Sequence, residues 1–210
     1  AAYLNLNGNP VPDLIGNTAS GNNKNGIAIV GPFSVNSTIT YLPDLPYINP
    51  GSWIINSGVT LTIPPGQVIK MESPSGLIRA DGTLFAQGTA EDRISFTSMK
   101  DDSLAGDSNN DGNVSAPAKG DWYGITVPAG GKAVFDYSDV KYSGSSGSTF
   151  DALVNVESGG DLSLSNSSLN FSQPFGVRVN GVEGQAILNN TIRDCDGYGI
   201  YVVDVANGTP

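Results

Sequence analysis

The chain has 210 residues, 39% hydrophobic and only 14% charged, with 27 glycines, 13 prolines, one cysteine and no histidine. Its formal charge of −10, from 20 acids against 10 bases, repels phosphates, so it opposes a nucleic-acid or anionic-membrane partner while admitting a cation. One cysteine and no histidine exclude an internal disulfide framework and a Cys/His zinc site, and no apolar run is long enough to span a bilayer.

Abundant Gly, Pro, Asn, Ser and Thr disfavour helices, because these residues break helices or compete for their backbone hydrogen bonds. An all-β chain is expected. Residues 3–6 alternate like a strand and 8–12 carry turn chemistry. Residues 17–27, NTASGNNKNGI, return near the end of the chain as 190–200, NTIRDCDGYGI, with Asn, Thr, Gly and Ile at the same offsets. A motif that recurs in register points to a repeat architecture. Residues 35–41 alternate as a strand, and 42–51 hold three prolines, so 32–52 is expected as an irregular connector.

From Trp53 a rhythm of Gly followed by an apolar strand begins at Gly58, Gly82, Gly131, Gly160 and Gly184, with spacings of 24, 49, 29 and 24. A second apolar column runs Val68, Ile94, Val140, Leu169, Ile192. A third runs Ile27, Ile54, Ile78, Ile125, Val154, Val177, Ile200. Three columns per period imply three short strands per turn, each turn too small to bury its own side chains, so that turns must stack. The pattern predicts a right-handed parallel β-helix of about seven rungs. Residues 1–31 would form rungs that continue from or cap a neighbour, and 53–210 the regular rungs. Val59, Leu61 and Ile63 would point inward, Thr60 and Thr62 outward. Gly and Asn would take the corners, where positive φ is needed. A β-sandwich also has short strands and regular turns, but does not explain three aligned columns.

The long spacing contains a polar insertion, residues 98–121, expected to project from the rod as a loop. Its centre, Asp107-Ser-Asn109-Asn-Asp111-Gly112-Asn113, matches the first half of an EF-hand loop. Calcium is a hard cation that takes six to eight oxygens, and alternate residues of a tight turn aim theirs at one point. The twelfth position is Ala118 where the loop needs a bidentate Glu. A complete shell would draw on Asp101, Asp102 and Asp121. The expected ion is a structural calcium; the competing reading is a solvated acidic loop.

The stretches at 17–31, 45–71 and 94–125, with the rung at 189–202, resemble right-handed parallel β-helix proteins of the pectin-lyase-like superfold, of the large secreted or surface-anchored kind. The resemblance implies an extracellular or cell-surface setting and a passive role as scaffold, filament or adhesin segment, with rungs continuing or stacking end to end. That superfold also hosts lyases and hydrolases, so a module that binds or cleaves extracellular glycans is the alternative. For such a module Asn17-Thr18 and Asn190-Thr191 lack the Asp that the family's pectin-cleaving members carry next, and no histidine is present. Arg178 and Arg193, with Asp136, Asp139, Asp151, Asp161, Asp194 and Asp196, supply charges but no evident constellation. Trp53, Trp122 and Tyr123 could stack on sugar, but read better as packing. Cys195 reads as a small buried residue. Sequons at Asn36, Asn113, Asn166, Asn170, Asn189 and Asn207 mark an Asn/Ser/Thr-rich surface.

Overall fold

The computed structural model describes residues 2–145, 149–181 and 185–203. Gly184, the sequon at Asn207 and the tail of the last rung lie outside them. Among the described residues the chain is all strand and turn, with three parallel sheets of eight, six and six strands. From Tyr47 on, successive strands visit the sheets in strict rotation. Tyr47–Asn49, Ser52–Ile55 and Thr60–Ile63 begin the three walls, here called A, B and C, and Val68–Met71, Leu77–Ala80 and Thr83–Gln87 lie on them one turn later. This is a parallel β-solenoid of about eight turns, against about seven expected. At about 4.8 Å per strand it is a rod roughly 34 Å long.

The inner face is a continuous core. Wall A stacks Tyr47, Ile69, Phe96, Val140 and Leu169; wall B stacks Trp53, Ile78, Ile125, Val154 and Val177; wall C stacks Leu61, Leu84, Ala133 and Leu162. All are fully buried. Val59, Leu61 and Ile63 are buried and Thr60 and Thr62 half-buried, as the alternation predicts.

Three column members are corrected by one or two residues, and one changes wall. Val68 pairs with Ser95, and Ile94 with Ser138, so Ile69 and Phe96 hold the inward positions. Ile54 pairs with Arg79, and Trp53 takes its place in the core. Ile27 stands on wall A beside Tyr47. Gly58 also slips: Thr60 pairs with Thr83, which sets Val59, not Gly58, against Gly82. Both faces of walls A and B are locally buried, as at Ile94–Ser98 and Ala152–Val156, so apolar residues there do not reveal which face is inward.

Residues 32–52, expected as an irregular connector, contribute the strands Ser37–Thr38 and Tyr47–Asn49 and a bridge from Phe33 to Ile55. The corners hold a feature that composition did not suggest. Asp139, Ser168 and Thr191 share one register on wall A. Two residues before them, Tyr137, Asn166 and Asn189 have φ of 43°, 49° and 57°; three after, Tyr142, Phe171 and Asp194 have 66°, 62° and 57°. Wall A is thus flanked by two files of left-handed residues, three of them aromatic. Tyr142 and Phe171 meet ring to ring at 4.9 Å and 4°, a stacking that offsets part of the strain.

The first rung is closed over. Phe33 and Ile39 are 0% and 1% exposed although Ser37–Thr38 is the edge strand of its sheet. Leu6 and Val11 join their core, and Leu4, Leu14 and Ala19 pack against it. The last described rung is open: Ile200 and Val202 are 46% and 51% exposed, whereas their register partners Val177 and Val179 are 0% and 3%.

Candidate metal centre in the insertion

The insertion does not project. It leaves wall A after Ser98, lies back along that wall and returns at Trp122. Two anchors explain this. Lys70, on the outer face of Val68–Met71, is fully buried and donates from Nζ to the Gly106 carbonyl at 2.8 Å. Asn25 donates its backbone amide to the Ser108 carbonyl at 2.8 Å and its side-chain Nδ2 to the Asp107 carbonyl at 3.4 Å. A loop with little apolar content is held by polar groups, and its closest partner is a lysine that the strand sequence Val-Ile-Lys-Met places among apolar residues.

The carboxylates of Asp102, Asp107 and Asp111 converge, each offering an oxygen within 4.8 Å of the others. Local hydrogen bonds fix the turn. Asp107 accepts from the amides of Asp111 at 3.1 Å and Gly112 at 2.9 Å. Asp111 accepts from the amides of Val114 at 3.0 Å and Ser115 at 3.1 Å, from Asn109 Nδ2 at 2.8 Å, and from the Ser115 hydroxyl. The Ser115 hydroxyl, above all, holds the Asp111 carboxyl below the usual range. Desolvation, followed by the charges of Asp107 and Asp111, pushes the Asp102 carboxyl up, and Lys70 opposes that rise. Asp102 Oδ1 and Asn109 Oδ1 are buried with no hydrogen-bond partner.

Of the seven residues expected to donate, three thus assemble and Asn109 touches one of them. Asp101 is buried and occupied: it accepts from Thr97 Oγ1 at 2.6 Å and from the Ser103 amide at 3.2 Å. Asp121 closes the base of the insertion, accepting from Ser98 Oγ at 2.6 Å, Lys100 Nζ at 2.7 Å and the Ala118 amide at 3.0 Å. Asn113 is exposed at φ 69°. The donor set fits calcium in kind: three carboxylates and two buried oxygens without partners are hard ligands. Lys70 is the residue that the motif did not reveal; a lysine inside an apolar strand is the signal that could have found it.

The other candidates disperse. Arg178 stands on wall B, bound to Asp151 at 3.1 Å, while Arg193 stands on wall A, bound to Asn170 at 3.0 Å. Asp139 is clasped by Arg93 at 2.8 Å, Asp161 by Lys132 at 2.6 Å, and Asp136 accepts from Ser165 Oγ at 2.9 Å and Asn166 Nδ2 at 2.8 Å. Trp53 and Trp122 are fully buried, with Nε1 donating to the carbonyls of Ile29 at 3.0 Å and Lys141 at 2.9 Å. Tyr123 stacks on Phe150 at 5.0 Å. Cys195 is half-buried, its Sγ directed at the Arg193 carbonyl. No family model, curated protein or solved structure matches the chain.

Proposed function

We propose that the chain is a structural segment of a large secreted or surface-anchored β-solenoid of the pectin-lyase-like kind, acting as a scaffold whose open last rung is continued by further rungs. One contrast carries this reading. Ile200 and Val202 present half their surface to solvent at positions that are buried in every complete rung, as at Val177 and Val179. Apolar inner residues and unpaired strand edges at one end favour association there.

The insertion would hold a structural calcium through Asp102, Asp107, Asp111 and Asn109, neutralising carboxylates that Lys70 only partly balances. Extracellular calcium is concentrated enough for a site lacking the bidentate Glu, since extracellular modules bind at about 10⁻⁴–10⁻³ M. The glycan alternative has weaker support, because Arg178 and Arg193 occupy different walls.

Sedimentation equilibrium tests the scaffold reading. The chain should pair through its last rung as concentration rises, and Val202→Lys should abolish pairing. A chain that stays single at every concentration would refute it.

A further inference from the structure

The closed end of the rod is fastened by a part of the chain remote in sequence. Residues 6–19 cover the first rung through Leu6, Val11, Leu14 and Ala19. Their own attachments are sparse: Leu6 donates to the Val30 carbonyl at 3.2 Å and Leu14 to Thr40 Oγ1 at 3.1 Å. Their return path to wall A runs through Asn25, whose amide and side chain are both held by the insertion, at Ser108 and Asp107. The adjacent Lys24 pairs with Glu72. The insertion is in turn seated by Lys70. Cap, insertion and wall A thus form one chain of contacts.

We propose that the insertion is a latch that holds an N-terminal cap shut, and that the first rung beneath the cap is a concealed docking edge for the open last rung of a second copy. This rests on the last rung being an assembly edge. The surfaces correspond. Removing the cap would expose Ile27, Phe33 and Ile39 beside the strand edges Ile27–Val30 and Ser37–Thr38. The last rung offers Ile200 and Val202 beside the edges Thr191–Cys195 and Ile200–Val203. Within the rod each such edge already pairs in parallel with its neighbour, so a second copy would continue the same register. A latched chain can associate only through its last rung and stops at two; an unlatched one has complementary edges at both ends and propagates.

The test replaces residues 103–118 by a short Gly-Ser turn in the full chain, keeping Asp101 and Asp121. Amide hydrogen exchange at Leu6 and Leu14 should quicken at least tenfold, while Ala133 and Phe135 in the middle of the rod hold their rates. Sedimentation velocity should show species longer than two, and Val11→Asp, which opens the cap directly, should give the same species. Cap amides as slow as in the parent chain would overturn the latch. Fast cap amides with no species beyond two would overturn the docking edge. Adding Val202→Lys should return the long species to single rods; long species that survive it would mean that the last rung is not the assembly edge, whatever the state of the latch.

Discussion

Lys70 Nζ and the carbonyl oxygen of Gly106 lie 2.8 Å apart across 36 residues, and the lysine is fully buried between the wall and the loop that covers it. Burial pushes its ammonium down to about 8, against the opposing charges of Asp102, Asp101 and Asp107. The folded state therefore sheds this proton earlier than the unfolded chain, whose lysine titrates near 10.5. Between these values the unfolded chain binds more protons, and stability rises with pH. Tyr47 acts in the opposite sense. Burial raises its hydroxyl to about 12 from 10.0, so its contribution is lost as pH climbs above 10. Melting temperature should rise from pH 8 toward 10 and then fall. Lys70→Met should remove the rise, and Tyr47→Phe should remove part of the fall.

Asp102→Asn separates the metal from the loop's own bonding. The Asp102 carboxyl is raised by desolvation and by its acidic neighbours. In calcium-free protein its ionisation is therefore a penalty, relieved as pH falls through the raised value toward 3.8. The amide variant should melt higher than the parent without calcium at neutral pH, and should lose the parent's further rise with calcium. Calorimetric scans with calcium and with chelator check both halves.

Two glycines differ in why they are glycine. A methyl on Gly131 would lie 1.9 Å from the Ala80 carbonyl oxygen on the neighbouring rung, with no positive φ involved. Gly58 faces open space but holds φ 77°. Gly131→Ala should cost about 3 kcal/mol, because backbone must move. Gly58→Ala should cost about 1 kcal/mol, the strain of a left-handed alanine. Urea denaturation of the two variants gives the comparison.

Trp53 fills the core where the sequence pattern placed Ile54. Trp53→Phe removes volume and leaves the buried Ile29 carbonyl without its indole donor. A loss of about 2–3 kcal/mol is expected by urea denaturation.

The architecture was legible because three apolar periods per turn have no simpler packing. The register was less so. Alternation identifies which face is buried, but at Ile94–Ser98 both faces are, since the insertion covers the outer one. Ile54 and Trp53 are adjacent apolar residues, and only the pairing with Arg79 and Ile78 decides between them. Asp107 and Asp111 could be read from spacing because the turn is local. Asp102 joined through the fold of the loop, and Asp101 and Asp121 left the set because Thr97 and Ser98 claim them. The turn to the wall hinges on Lys70 and Asn25, which are 36 and 83 residues from Gly106 and Ser108, a distance no local motif spans.

Isothermal titration of the intact chain with calcium tests most directly whether the insertion is a metal-held element of the scaffold. The account predicts one bound ion per chain at submillimolar to millimolar affinity, lost in Asp107→Asn, together with slower proteolysis between residues 101 and 121 when calcium is present. No binding heat, with cleavage in that stretch equally fast in calcium and in chelator, would contradict it and leave the insertion a loop held by its own hydrogen bonds and Lys70.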